Sequence, residues 1–128
     1  MSNLINLLDT YKGEKRELYP LTPSQMGVYL SCMHNPKGTM YNIPCTYVFD
    51  SGSLDTDRLI NAVRKAVDNH PVMKIFIDNS TGSPMMKPRD SVEFDIPVVQ
   101  VNNLEQAGKD FVKPFDLEKD ILFRFAVF

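Results

Sequence analysis

Two histidines, His34 and His70, two cysteines, Cys32 and Cys45, and a scatter of carboxylates are the side chains with which this sequence could do chemistry. A two-histidine metal site needs carboxylate or thiolate partners at ligand spacing, and neither His34 nor His70 has them nearby in a recognisable pattern. Each histidine instead falls at the C-terminal end of an expected helix, where an imidazole complements the dipole and caps carbonyls. Cys32 and Cys45 lack Cys-x-x-Cys spacing and read as buried small hydrophobes rather than nucleophiles. Asp55, Asp57, Asp116, Glu118 and Asp120 read as caps and surface charges, with no pair singled out for acid–base work. No phosphate-binding glycine loop, nucleophile elbow or zinc-protease motif occurs. The aromatic residues sit at core spacing and are not interleaved with basic ones, as a nucleic-acid stacking platform would require. Taken by mechanism alone, the sequence holds no catalytic set.

The elements that would carry these residues belong to one domain. The chain has 128 residues, 43% hydrophobic and 23% charged, the composition of a soluble globular protein. Fourteen basic and sixteen acidic residues give a net charge of −2, which provides no footprint for nucleic acid or an anionic membrane. No apolar run is long enough to span a bilayer, and the first residues lack the pattern of a signal peptide. With two cysteines a disulfide framework is excluded, and a cytoplasmic location is expected. Residues 1–17 read as an N-terminal extension or linker, with Leu4, Ile5, Leu7 and Leu8 able to form one apolar stripe before a solvated connector. The domain proper is expected over 18–128.

Thr22-Pro23-Ser24-Gln25 is a helix start, with Thr22 as cap, Pro23 at the first position and Gln25 closing a capping box. Met26, Tyr29, Leu30 and Met33 then recur on one face, and Pro36 and Gly38 end the helix. Ile43 to Asp50 is rich in β-branched and aromatic residues and reads as a strand, followed by a Ser51-Gly52-Ser53 turn. Asp55 caps a second helix to His70, with Leu59, Ile60, Val63, Ala66 and Val67 inward, and Pro71 stops it. Strands are expected at Val72 to Ile77, briefly at Met85-Met86, and at Pro97 to Val101. Asn103 caps a third helix that Pro114 closes. Ile121 to Phe128 is apolar on both faces apart from Arg124, the pattern of a central strand. The order of elements gives an α/β fold, a two-layer sandwich of helices packed on a sheet.

Four segments in register add a family resemblance. Tyr19-Pro20-Leu21-Thr22-Pro23-Ser24-Gln25-Met26-Gly27-Val28-Tyr29 resembles the opening signature of condensation domains from nonribosomal peptide synthetases. Tyr41-Asn42-Ile43-Pro44 is similar to the stretch that leads into their first strand. The helix from Leu54, running into Asp68-Asn69-His70-Pro71-Val72-Met73, resembles their first long helix and second signature, Arg-His-x-x-Leu-Arg-Thr-x-Phe. Pro114-Phe115-Asp116-Leu117, with Ile121-Leu122-Phe123-Arg124 after it, is similar to their Pro-Phe-Asp-Leu segment and following strand. The second signature departs most. Asn69 stands for its first Arg and Lys74 for its second, and lysine does not replace a bidentate guanidinium.

The resemblance implies the chloramphenicol-acetyltransferase-like fold, here one half-domain with a mixed sheet. It implies a parent that forms amide bonds, in which an acceptor amine attacks a donor thioester, both carried on phosphopantetheine arms. It implies carrier protein domains and a C-terminal lobe as partners. Gln25, Tyr29, Asn42 and His70 become candidate substrate-channel or motif residues. The family's His-His-x-x-x-Asp-Gly motif follows the strand that here runs to Phe128, and this sequence contains no His-His pair. The expectation is therefore an N-terminal lobe truncated before its catalytic motif, inactive alone and with no bound cofactor. The competing expectation is a self-contained α/β interaction module, self-associating through the apolar strand Ile121 to Phe128.

Overall fold

The computed structural model describes residues 18–50, 52 and 54–128. The expected N-terminal stripe over Leu4 to Leu8, and two residues of the Ser51–Ser53 turn, lie outside the described residues. The first strand, β1, is only Tyr19–Pro20. Helix α1, Pro23–His34, follows and begins as its sequence dictates. The Gln25 amide donates to Thr22 Oγ1 at 3.3 Å, and the Thr22 amide donates to Gln25 Oε1 at 2.8 Å. Two of the three amides that this helix start leaves unpaired are thereby satisfied, Pro23 having none. Helix α2, Thr56–Asn69, is capped by Asp55, whose Oδ1 accepts from the Arg58 amide at 3.0 Å. Its charged and apolar residues segregate strongly, and Val67 on the apolar side is completely buried.

Pro71 cannot continue α2, and one turn of 3-10 helix, Pro71–Lys74, carries the chain into strand β2, Ile75–Asp78. A turn at Gly82, whose φ of 82° favours glycine, leads into β3, Met85–Pro88. The three strands form an antiparallel sheet in the order β1-β3-β2. Phe76 lies opposite Lys87 and Tyr19 opposite Met86. Both strand prolines, Pro20 and Pro88, occupy strand ends, where a missing amide costs the ladder least. Helix α3, Leu104–Phe111, starts at Asn103, which accepts from the Gln106 amide at 3.0 Å. Among the described residues the buried apolar side chains are Tyr29 from α1, Val67 from α2, Ile77 from β2 and Ile96 from the segment before α3.

Three expected strands are corrected. Residues 43–50 form no ladder, and Ile43, Tyr47 and Val48 are almost fully exposed. Residues 97–101 and 121–128 meet only at one parallel bridge, Val98 to Val127. There the Val99 amide donates to the Val127 carbonyl at 2.8 Å, and the Val127 amide to the Pro97 carbonyl at 2.9 Å. The larger mixed sheet with a central last strand is therefore absent among the described residues. High β propensity records fit to a pleated neighbour, and among the described residues these segments find none that completes a ladder. Residues 121–127 are instead half-buried through an aromatic cluster, with Phe94 edge-on to Phe123 at 5.0 Å and Phe123 beside Phe125 at 5.3 Å. Smaller expectations also fail. Cys45 is exposed, and Leu30 and Met33 of α1 and Ala66 of α2 face solvent. The strand expected from Val72 begins only at Ile75, because Pro71 first starts a 3-10 turn.

Candidate functional site

The segment from Lys113 to Asp120 is where the stretches Tyr19–Tyr29 and Tyr41–Pro44 converge, through Tyr29 and Asn42. It folds on itself first. The Asp116 amide donates to Asp120 Oδ2 at 2.8 Å, the Glu118 amide to Asp116 Oδ1 at 3.1 Å, and the Asp120 amide to the Asp116 carbonyl at 2.8 Å. Aspartate suits such a turn because its short carboxylate can accept from amides two residues on. The hydrogen bond from the Glu118 amide, then Lys119 at 3.3 Å, hold the Asp116 carboxyl below its ordinary value.

Four distant elements then attach to this turn. The Tyr29 hydroxyl of α1 donates to Glu118 Oε1 at 3.0 Å. Burial, and next the Glu118 carboxylate, push the Tyr29 phenol above its ordinary value, so it remains a donor at neutral pH. The Ile77 amide of β2 donates to the Leu117 carbonyl at 3.0 Å. Arg89, just after β3, donates from Nη2 to the Lys119 carbonyl at 3.1 Å while its guanidinium stacks on Phe76. Asn42 Nδ2 donates to the Lys113 carbonyl at 2.7 Å.

Arg124 completes the hub. Its Nη1 donates to the same Lys113 carbonyl at 2.7 Å, and its Nη2 donates to the Pro114 carbonyl at 2.7 Å. The guanidinium lies 3.8 Å from the centre of the Phe115 ring. One side chain thus fixes two successive carbonyls and an aromatic face, a task for the planar fork of arginine. A cavity of about 350 Å³ opens beside it, lined by Phe94, Phe111, Phe123, Phe125 and Lys113 among others.

The candidate residues named from sequence separate in this geometry. Tyr29 and Asn42 both reach the Lys113–Asp120 turn. Gln25 does not; its Nε2 contacts Met86 Sδ at 3.7 Å while its Oε1 serves the cap. His70 does not either. It caps α2, and its Nδ1 donates to the Ala66 carbonyl at 2.6 Å, the structural role expected from its place at a helix end. Among the described residues no hydrogen bond joins any two of the four. Lys74, at the position of the signature's second arginine, donates from Nζ to the Asp68 and Asp90 carbonyls at 3.2 Å each. It serves as a backbone clamp there. Arg124, Glu118 and Arg89 are hub side chains that sequence reasoning left out of the site. The signal for Arg124 was available, as the lone charge in an apolar run.

Nothing at the hub is a reactive set. No group of three or more His, Cys, Asp or Glu side chains able to hold a metal occurs among the described residues. No helix among them is long and apolar enough to cross a membrane.

Comparison with known proteins assigns the family. The condensation-domain family matches residues 15–128. The chain is 32% identical over 115 residues to bacitracin synthase 3 of Bacillus licheniformis, an alignment covering 88% of this chain and 2% of that protein. It is 30% identical over 118 residues to bacitracin synthase 2 of the same organism, covering 91% and 4%. Surfactin synthase subunit 1 of Bacillus subtilis (strain 168) is 33% identical over 116 residues, covering 88% and 3%. The chain thus spans only a few per cent of the length of the curated relatives it matches. With the Tyr19–Tyr29 and Tyr41–Pro44 stretches tied to the Lys113–Asp120 turn through Tyr29 and Asn42, and the family matched from residue 15 to 128, the chain belongs to the condensation-domain family.

Proposed function

We propose that residues 18–128 are part of the N-terminal lobe of a condensation domain, with the chloramphenicol-acetyltransferase-like half-domain fold. The parent of this lobe joins two carrier-bound aminoacyl or peptidyl thioesters. In that reaction the acceptor amine attacks the donor thioester carbonyl, the amide bond forms, and the donor's phosphopantetheine thiol leaves with a proton. A base or positioning group must handle the proton that the amine loses. The family assigns this to a His-His-x-x-x-Asp-Gly motif, and this sequence has single histidines at 34 and 70 only. His70 is committed to a carbonyl cap, so the chain's share of the work is scaffolding.

The observation that carries this reading is the hub itself. Asn42, Tyr29 and Arg124 come from separate family-like stretches, and each hydrogen-bonds the Lys113–Asp120 turn. Gln25, Tyr29, Asn42 and His70 are the substrate-channel or motif residues of this reading, with Tyr29 and Asn42 bonded to the Lys113–Asp120 turn. Carrier protein domains and a C-terminal lobe are the partners, and the cytoplasm is the compartment. Incubated with aminoacyl-loaded donor and acceptor carrier proteins, the 128-residue chain should yield no amide product by mass spectrometry. Reproducible turnover would contradict the scaffolding role.

A further inference from the structure

The peptide unit joining Lys113 to Pro114 has no N–H, so its carbonyl is the one group through which hydrogen bonds can hold it. That carbonyl accepts from two side chains, Arg124 Nη1 and Asn42 Nδ2, each at 2.7 Å. A carbonyl oxygen has two lone pairs, and here both are taken. Arg124 comes to it already fixed, with Nη2 on the Pro114 carbonyl at 2.7 Å and the guanidinium 3.8 Å from the centre of the Phe115 ring. Asn42 comes to it from a tight turn, in which its own amide donates to the Thr39 carbonyl at 3.0 Å. Asn42 is half-buried, while its neighbours Tyr41 and Ile43 are exposed. It is the side chain of this turn that points inward, onto the hub.

We infer that Arg124 is a positioning residue for amide-bond formation, acting on Asn42 through the carbonyl they share. The inference rests on the reading of Asn42 as a substrate-channel residue of a condensation domain. A carboxamide has a donor end and an acceptor end. With Nδ2 committed to the Lys113 carbonyl, a flip of the Asn42 side chain would set its oxygen against another oxygen, so the carbonyl also decides which end faces outward. The carbonyl can do this only while the Lys113–Pro114 unit stands still, and Arg124 holds that unit on both of its sides. A displacement of about 1 Å in a group that orients substrate is enough to slow a reaction by ~10- to 100-fold. Arg124 needs no contact with substrate to have that effect. Lysine at 124 would keep the charge and lose the fork that spans two successive carbonyls.

The test is a double-mutant cycle on amide formation, run in the surfactin synthase subunit 1 condensation domain with its aligned stretch replaced by this chain. Rates are taken with loaded carrier proteins, at a temperature where circular dichroism shows all four proteins folded. Asn42→Ala and Arg124→Lys should each lower kcat about 10-fold or more, with KM for the carriers changed less than about 3-fold. The double variant should be no slower than Asn42→Ala alone, because Arg124 then has nothing left to position. Loss of stability by itself would not produce that pattern. In the 128-residue chain, the NMR signals of the Asn42 side-chain amide should move toward those of free asparagine in Arg124→Lys. Rate losses that multiply in the double variant overturn the inference, as does full activity in Asn42→Ala or an unmoved Asn42 signal in Arg124→Lys. Each of these leaves the domain reading intact. An unsubstituted chimera without activity overturns the domain reading, and this inference with it.

Discussion

Arg124→Ala should lower the stability of the domain by about 3 kcal/mol, read as a fall in melting temperature of roughly 10 °C. The guanidinium makes two 2.7 Å hydrogen bonds to carbonyls, each of the charged-donor class worth ~1.5–3 kcal/mol, and it stacks on Phe115. Partial solvent access and the entropy of ordering a long side chain offset some of that gain. Arg124→Lys should recover little, because a single ammonium can neither bridge the Lys113 and Pro114 carbonyls nor lie flat on the ring. The damage should be local as well as global. Asn42 shares the Lys113 carbonyl, so hydrogen exchange of the amides around residue 42 should accelerate more in Arg124→Ala than that of the amides in α2. Equal protection around residue 42 in the variant and the parent would mean that Asn42 is held by something other than the hub.

Val67→Asp should prevent folding. Val67 is 0% exposed and is contributed by α2, the longest amphipathic helix among the described residues. A carboxylate there would be buried without a partner, at a cost of at least ~3–5 kcal/mol, a large part of the stability of a domain this size. Ala62→Asp, on the exposed side of the same helix, is the control. It introduces the same charge and should stay within about 1 kcal/mol of the parent. Urea unfolding followed by circular dichroism separates the two. A cooperative transition for Val67→Asp would show that the core does not depend on the seam where α2 packs.

Much of the helical structure was legible in the sequence, and for a local reason. The caps at Thr22, Asp55 and Asn103 each act on an amide three residues away, so their types and spacing contain the whole interaction. His70 as a cap on Ala66 is legible on the same grounds. The strands were legible only as propensity. Residues 43–50 and 121–128 have β composition, yet a ladder requires a second strand, and the sequence of one strand does not name its partner. The reverse error occurred at Tyr19–Pro20, a two-residue strand with a proline, which exists because Met85 and Met86 lie opposite it.

The hub divides in the same way. Tyr29 and Asn42 were nominated by family-like stretches and do meet one turn. Gln25 and His70 were nominated alike and stay on separate partners. What sequence could not display is that the common acceptors are main-chain carbonyls of Lys113, Pro114, Leu117 and Lys119. A backbone carbonyl is the same at every position, so only the folded chain shows which ones are used.

The central claim is that residues 15–128 are a working portion of a condensation domain. Its most direct test is a chimera of the surfactin synthase subunit 1 condensation domain in which the aligned stretch is replaced by this chain. Product formation with loaded carrier proteins is then measured beside the parent domain. The expected result is a folded chimera that makes the amide product, and that loses it when its own His-His-x-x-x-Asp-Gly motif is mutated. A chimera that melts cooperatively yet makes no product would contradict the claim.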